Sequence, residues 1–361
     1  MKFGIFTIVP YHEDFTQEQA LNEALEQIVY ADQMGIEEVW LGEHSFSRHG
    51  LLSGIWSFLG AVAGRTQNIR IGTAVIVLPL HNPILVAEEV AMLDVISNGR
   101  INFGIGAGYQ QQEFDGLGVD IDTSRERFTE AVDVIIRAWT EERLTFHGKY
   151  TSVDDLWVLP KPVQKPYPPL FQAVSTSPES IDFAASRRIQ VIAGGPTDIL
   201  GQAPRVIRLW REKMDEYGHP HAHLDPPMSK SIYVAPTMEE AERDPVGLED
   251  FSSRILRSSG SNGAPIGMPM DKNGNIARGY EHWANRQRDR DRRDDVGHAG
   301  LPPLRGTPEV VVERLKETQA AGINHVFGNF GFAGLPHWKV MRSIELFATE
   351  VMPHFKEAPV A

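Results

Sequence analysis

The sequence contains no cysteine among its 361 residues. This absence excludes disulfide bonds, thiolate metal sites and a cysteine nucleophile, whatever compartment the protein occupies. Long apolar runs are also missing, because no stretch approaches the roughly 18 uninterrupted residues that a membrane-spanning helix needs. The first residues, MKFGIFTIVPYHED, lack the apolar region and small-residue cleavage site of a secretory signal. We therefore expect a soluble, cytoplasmic protein with no membrane partner.

Positive charge is also in short supply. The chain has 35 lysines and arginines against 48 aspartates and glutamates, which gives a formal net charge of -13. This balance argues against a surface that binds nucleic acid or anionic lipid. The one dense basic run, RQRDRDRR at 286–293, is interleaved with aspartate, so we interpret it as a solvated loop.

Hydrophobic residues make up 42% of the chain, which is enough for a sizeable core in one large α/β domain or two smaller ones. Short β-rich runs alternate with longer amphipathic ones. The first helix is predicted to begin near Thr16, which forms a capping-box pattern with Gln19, and to stop at Gly35. Four strand–helix units fill the first 142 residues, with strands at KFGIFTI (2–8), EEVWLG (37–42), IRIGTAVIVL (69–78) and INFGIGAG (101–108).

The second half continues the same alternation. LTFHGKYTSVDDLWVLP, which begins at residue 144, is typical of a hairpin insertion whose turn is HGK. Four further strands are predicted at PLFQAV (169–174), IQVIAGG (189–195), KSIYVA (230–235) and INHVFGNF (323–330).

Eight strands, each followed by a helix, predict a closed (β/α)8 barrel, the TIM-barrel fold; a doubly wound open sheet is the alternative. No linker is evident, so we treat residues 1–361 as a single domain. The region 244–303 combines Gly, Pro, Ser and mixed charge with little periodicity. We expect it to form a lid over the barrel mouth, and plain disorder is the alternative.

Barrels of this kind carry their active sites at the C-terminal ends of the strands. GIGAGY (104–109) provides a Gly-rich backbone that a flat or anionic ligand can approach, although its spacing is not the dinucleotide fingerprint. AVSTSPES (173–180) gathers hydroxyls at a helix N-terminus suited to phosphate, and an ordinary N-cap is the alternative. LGEH (41–44) adds His44, an imidazole that titrates near neutral pH.

Longer motifs resemble the bacterial luciferase-like flavin monooxygenases over nearly the whole chain. The region 244–303 is not covered. The motifs are VWLGEH (39–44), IVLPLHNPILVAEEVAMLDVISNGRINFGIGAGY (76–109), LPKPVQKPYPPLFQAVSTSPES (159–180), GTPEVVVERL (306–315) and SIELFATEVMPHF (343–355).

The resemblance implies a (β/α)8 barrel, commonly a homodimer, that takes reduced FMN from a separate flavin reductase. Dioxygen then oxygenates a small organic substrate through a flavin peroxide. Similar barrels use a deazaflavin for hydride transfer, and the GEH motif looks more like the FMN branch. A non-catalytic FMN-binding protein is a further alternative, and the sequence does not reveal the substrate.

By the same resemblance, the flavin ring lies against the end of the third strand beside the Gly-rich loop, and its phosphate lies on the serine-rich loop. A non-prolyl cis peptide is expected at Ala74-Val75. The residues expected to bind the cofactor are Ala74, Val75, Gly106, Ala107, Gly108, Tyr109, Ser175, Thr176, Ser177, Ser180, Gly194 and Gly195.

The chain departs from the luciferases at two motifs. Where the luciferases have a motif similar to GICRG, this sequence has GIGAG. Ala107 therefore stands at the position of the phosphate-binding arginine, and Gly106 at that of the reactive cysteine. The phosphate must then rely on backbone N–H groups, hydroxyls or an arginine from elsewhere. Relatives often read EHH, whereas Ser45 replaces the second histidine here, which argues against light emission from a long-chain aldehyde.

We expect His44 to be the acid/base or peroxide-orienting group, and Glu43 to position it or the flavin. The alternative for Glu43 is an ion pair at the barrel rim, for example with an arginine. Other polar or aromatic residues are interpreted structurally: Arg48 and His49 as loop surface, His81 and Asn82 as a helix-entry turn, Asp94 and Arg100 as a helix-end pair, and Trp157, His325 and Phe330 as core rather than substrate pocket.

Overall fold

A computed structural model describes residues 1–174, 177–194, 202–246, 248, 275 and 304–356. Most of the predicted lid at 244–303 lies outside the described residues, as do Ser175, Thr176, Gly195 and the basic run at 286–293.

The strands alternate with helices as the sequence predicts. The strands are β1 Lys2–Thr7, β2 Glu38–Leu41, β3 Arg70–Thr73, β4 Ile76–Val77, β5 Ile101–Gly106, β6 Leu144–His147, β7 Ser152–Leu156, β8 Leu170–Ala173, β9 Gln190–Gly194, β10 Met228–Val234, β11 Leu304–Gly306 and β12 His325–Asn329. The α-helices are α1 Gln17–Gln33, α2 Ile55–Arg65, α3 Pro83–Ile96, α4 Gln111–Gly116, α5 Ser124–Thr140, α6 Pro178–Ser186, α7 Gln202–Glu216, α8 Met238–Arg243, α9 Pro308–Ala320 and α10 His337–Leu346.

Parallel pairing closes the sheet on itself. The order is β1-β2-β3-β5-β8-β9-β10-β12, and β12 pairs with β1. The predicted eight-stranded barrel is therefore confirmed, and the open-sheet alternative is wrong. The strand β11, which the sequence did not predict, adds to β10 in parallel at the point where the chain returns from 244–303.

Local signals also fold as expected. Thr16 and Gln19 form the predicted capping box at the start of α1. The predicted hairpin is formed by β6 and β7, and the Glu130 carboxylate on α5 accepts the backbone N–H groups of its turn at 149–151. The expected third strand, 69–78, is divided into β3 and β4 at the Ala74-Val75 peptide bond. That bond is cis, as predicted.

The barrel interior contains an aromatic layer above a polar one. Trp40 stacks on Phe327 at 5.1 Å between ring centroids, and it meets Phe171 edge-on at 5.0 Å. A Cβ at Gly72 would lie 2.4 Å from the Trp40 ring, so only glycine leaves room for this side chain. These rings pack with Ile192 inside the barrel, below the C-terminal ends of the strands.

The polar layer lies at the opposite end from the strand C-termini. The Glu38 carboxylate accepts hydrogen bonds from Trp40 Nε1 at 2.8 Å and His325 Nε2 at 2.7 Å. Burial alone would raise the pKa of Glu38, but His325 and the indole lower it overall. His325 therefore lies in the core at the N-terminal end of the barrel, as predicted.

Asp94 and Arg100 do not pair, so the predicted helix-end ion pair is wrong. The Asp94 carboxylate accepts from the backbone and side-chain amides of Gln164 at 3.0 and 2.7 Å. Arg100 donates instead to backbone carbonyls, including those of Ala63 and Ile69.

Candidate functional site

Most inward positions at the barrel mouth carry small side chains. Side chains alternate along a strand, and parallel register partners face the same way, so the inward position above Trp40 on β2 is Gly42. The same rule identifies the inward mouth residues of the other strands, which are the small Ala74, Gly106, Ala173, Gly194 and Ser231 and the larger Ile8 and Asn329. The mouth therefore has a shallow floor above the aromatic layer, on which a flat molecule can lie.

Close packing of the strand ends requires two of these glycines. A Cβ at Gly42 would lie 2.7 Å from the carbonyl oxygen of Ala74, and one at Gly106 would lie 2.6 Å from Val75 Cγ2. Gly108 has φ +78° and a Cβ there would lie 2.5 Å from Val77. The Gly-rich loop thus lies directly against the Ala74-Val75 segment, as the family resemblance implied.

The two rim residues Glu43 and His44 have different partners. The Glu43 carboxylate accepts the Val77 backbone N–H at 2.5 Å and lies 2.9 Å from His81 Nε2. It therefore fixes the end of β2 to β4, in an ion pair with a histidine and not with an arginine. Burial alone would lower the pKa of His81, but the hydrogen bond and charge of Glu43 raise it overall, with a further contribution from Glu89.

His44 is held by a residue that sequence reasoning missed. Its Nδ1 lies 3.0 Å from Glu113 Oε1, and the side-chain nitrogen of Gln110 lies 2.7 Å from the same ring atom. Glu113 is on α4, the short helix directly after the Gly-rich loop. The sequence signal that could have found Glu113 is its place four residues beyond Tyr109, which is the last residue of the Gly-rich loop assigned to the flavin.

His49 also belongs to this group. Its ring centroid lies 4.5 Å from that of His44, so the prediction that it is loop surface is wrong. Burial, and secondly the charge of a protonated His44, lower the pKa of His49 to about 3. Arg48 is half-exposed and pairs with Glu13, as loop surface does.

The serine-rich loop is joined by an arginine from another element. Ser177 caps α6 by accepting the Ser180 N–H at 3.3 Å, and Pro178 is the first residue of the helix. Arg125 on α5 donates to Ser180 Oγ at 3.2 Å. Gln172 is 4% exposed, and its Oε1 has no hydrogen-bond partner within the described ranges. Hydroxyls, helix N–H groups and a guanidinium meet here, as an anion site needs, although the Ser177 hydroxyl already donates to the Glu179 carboxylate at 2.7 Å and would have to turn from it.

The remaining candidates lie away from the mouth or in the core. Asn82 caps α3 by accepting the Ile84 N–H at 2.9 Å, which is the predicted helix-entry turn. Trp157 is 58% exposed at the end of the hairpin, so neither core nor pocket describes it. Phe330 is buried against Phe347, as predicted.

Two classes of feature are absent from the residues that the structure describes. No helix there is long and apolar enough to cross a membrane. No group of three or more His, Asp or Glu residues there is arranged to hold a metal ion.

The sequence model of the luciferase-like monooxygenases matches residues 1–325. The chain belongs to this family. It is 29% identical to limonene 1,2-monooxygenase of Rhodococcus erythropolis over 98% of this chain and 86% of that protein. It is 33% identical to the uncharacterized protein y4vJ of Sinorhizobium fredii, over 49% of this chain and 51% of that protein.

Solved structures of similar proteins share the fold along the whole chain. Monooxygenase RslO1 from Streptomyces bottropensis superposes with a TM-score of 0.82 at 26% identity, over 99% of this chain and 100% of that one. The oxygenating constituent of 3,6-diketocamphane monooxygenase from Pseudomonas putida, solved with FMN, gives 0.77 at 21% identity over 99% of both chains. An F420-dependent secondary alcohol dehydrogenase gives 0.71 at 20% identity, again over 99% of both chains.

Proposed function

We propose that this protein is an FMN-dependent monooxygenase that takes reduced FMN from a separate flavin reductase in the cytoplasm. With dioxygen it oxygenates a small organic substrate. The observation that carries the proposal is the mouth itself, where a floor of small residues at the strand ends is accompanied by an anion-binding donor set. These are the two surfaces that a flat isoalloxazine ring and a phosphate need.

The residues at the mouth fit the ring. Ala74 and Val75 would lie under it, and the loop from Gly106 to Tyr109 would lie beside it, because that loop packs directly on Val75 and Val77. Gly194 has φ +77° and leaves the end of β9 equally open. Reduced FMN supplies the electrons that activate dioxygen, and the protein supplies the binding and the orientation.

The donor set on α5 and α6 fits the phosphate. Ala107 offers no charge, and Arg125, which already contacts Ser180, can supply an arginine from another element. Ser177 and the first N–H groups of α6 would complete the seat, while the expected Ser175 and Thr176 lie outside the described residues. A guanidinium at a helix N-terminus favours a dianion over a neutral ligand.

His44 would move the proton that oxygen transfer requires. Its side chain is 12% exposed, and the residue stands three positions beyond the end of β2, on the side of the barrel where the mouth opens. Glu43 acts one step removed, since it holds the β4 backbone and His81 and so fixes the wall on which the ring rests.

Hydride transfer with the deazaflavin F420 is the second candidate, favoured by the likeness in fold to the F420-dependent dehydrogenase. A protein that binds FMN without catalysis is the third.

Anaerobic titration with reduced FMN and with reduced F420 separates the first two. The proposal predicts tight binding of reduced FMN, followed by product formation from a panel of ketones, aldehydes, terpenoids and aromatic heterocycles once air is admitted. Preference for F420 with alcohol oxidation, or FMN binding with no product from any substrate, would contradict it.

We also propose that the protein is a homodimer that pairs through α3. Three apolar side chains of this helix, Leu85, Met92 and Ile96, are 56, 50 and 55% exposed. Spacings of seven and four residues place them along one face, which also carries Glu88 and Glu89, and exposed apolar side chains gathered in this way mark an interface. Light scattering should find a dimer that the pair Met92→Glu and Ile96→Glu dissociates, while Gln319→Glu, on an exposed polar face of α9, leaves it intact. A monomeric native protein would overturn this assignment.

A further inference from the structure

We infer that Glu113 is the positioning residue for His44: it holds the proton on Nδ1 and so leaves Nε2 as the atom that exchanges protons at the mouth. The inference rests on the proposed function only for what Nε2 then does. The arrangement of Glu113 and His44 is a property of the protein alone, and it can be measured without a flavin.

Glu113 is a buried acid, and a buried carboxylate is stable only with a hydrogen-bonding partner. Its side chain is only 4% exposed, and a carboxylate taken out of water costs several kcal/mol unless it is paired and hydrogen-bonded. Along the described chain no lysine or arginine forms an ion pair with it. Its Oε1 atom accepts the Ser45 backbone N–H at 2.9 Å and lies 3.0 Å from His44 Nδ1.

Two contacts of Nδ1 compete over the tautomer: the Gln110 amide nitrogen at 2.7 Å would donate to a lone pair there, whereas the Glu113 carboxylate at 3.0 Å would accept a proton from it. The carboxylate decides, because its charge outweighs a neutral amide whose nitrogen and oxygen can exchange places. If Nδ1 carried a lone pair, that lone pair would face the carboxylate of Glu113 at 3.0 Å, which is repulsive. With the proton on Nδ1, the ring donates to Glu113, and Gln110 presents its amide oxygen after a flip about its last torsion. Nε2 has no hydrogen-bond partner in the described part of the chain, so it remains available to a ligand.

The neighbouring histidine strengthens this arrangement. The half-buried His49 ring stays neutral near pH 7, because burial and secondly the charge of His44 lower its pKa to about 3, so it adds no charge beside His44. Glu113 is the only carboxylate in contact with His44 among the described residues. Glu43, which is adjacent to His44 in sequence, contacts His81 instead. Glu113 and Glu43 therefore each hold a different histidine.

The direct test is the tautomer of His44 by ¹⁵N NMR in the flavin-free protein, with the signal assigned by its loss in His44→Gln. We expect Nδ1–H in the native protein. In Glu113→Gln, whose amide can donate to Nδ1, the Nε2–H form should become the major one. Asp115→Asn is the matched control, because it neutralises an exposed acid on the same helix α4. An unchanged tautomer in Glu113→Gln, or the same change in Asp115→Asn, would overturn the inference.

A double-mutant cycle tests the consequence for the flavin. The measured quantity is the rate at which bound reduced FMN returns to its oxidised absorbance in air. Glu113→Gln should change this rate in the same direction as His44→Gln, and the double variant should match His44→Gln within about twofold. Full additivity would overturn the positioning role. If His44→Gln leaves the rate unchanged while the tautomer result stands, the proposed function of His44 fails and the positioning by Glu113 survives. Should Glu113→Gln fail to fold, Glu113→Asp gives the same readouts. We then expect a fraction of the Nδ1–H form that is smaller than in the native protein, because the shorter side chain reaches Nδ1 less well.

Discussion

Substitution of Gly42 by alanine tests the packing of the mouth most sharply. The new Cβ would lie 2.7 Å from the Ala74 carbonyl oxygen and 2.9 Å from Ile8 Cγ2. The first of these contacts is with backbone, which cannot turn away as the end of a side chain can. Overpacking of a closed site costs about 1–3 kcal/mol, so the free energy of unfolding should fall by that amount.

The methyl group would also stand on the floor that we assign to the flavin ring. We therefore expect Gly42→Ala to weaken the binding of reduced FMN, since the ring must rise or the Ala74-Val75 segment must move. Urea unfolding followed by tryptophan fluorescence gives the stability, and anaerobic titration gives the dissociation constant.

Gly60→Ala is the matched control for this substitution. Gly60 lies inside α2, and a Cβ there meets nothing within 4 Å. Replacing a helical glycine with alanine stabilises a helix by up to about 1 kcal/mol, so this variant should be more stable than the native protein and bind FMN equally well. Gly42→Ala with native stability and native FMN affinity would refute both the packing argument and the position of the ring.

Three further predictions concern side chains around the mouth. Arg125→Gln should weaken FMN binding by about 10–100-fold, the value of a charge-assisted hydrogen bond, and leave riboflavin binding unchanged because riboflavin lacks the phosphate; equal losses for both ligands would contradict the phosphate seat. His44→Ala should keep FMN affinity within several-fold and lower turnover by roughly a hundredfold or more, the scale of a general acid/base; unchanged turnover would remove His44 from the chemistry. The raised pKa of His81 means that its pairing with Glu43 stabilises the fold fully below the unfolded value of about 6.5, and that this stability is lost as pH rises through the folded pKa. Urea midpoints between pH 5 and 9 should therefore lose that dependence in His81→Asn, and identical profiles would contradict it.

The fold was predictable because the barrel repeats one local pattern. Each strand has its own apolar run and each helix its own start and stop signals, as at Thr16 and Gly35, so the count of eight follows from local chemistry. The Gly-rich loop and the Ser177 cap could be assigned to the mouth for the same reason, since the barrel brings all strand ends to one face.

The partners of the site residues could not be predicted in this way. Glu113 reaches His44 across 69 residues of sequence, and Arg125 reaches Ser180 across 55. Glu113 had one weak signal, its place four residues beyond Tyr109, and the local pattern around Arg125 does not distinguish it from ordinary helix surface. The expected pair of Asp94 and Arg100 failed for the same reason, because Gln164, distant in sequence, takes the carboxylate.

The central claim is that the mouth holds reduced FMN and directs dioxygen into a substrate. Its most direct measurement is isotope incorporation: the protein is loaded anaerobically with reduced FMN, mixed with the substrate panel and exposed to ¹⁸O₂, and the products are analysed by mass spectrometry. The account predicts a product that carries one ¹⁸O atom and forms only with reduced FMN. Unlabelled product, or turnover that proceeds without dioxygen on reduced or oxidised F420, would contradict it.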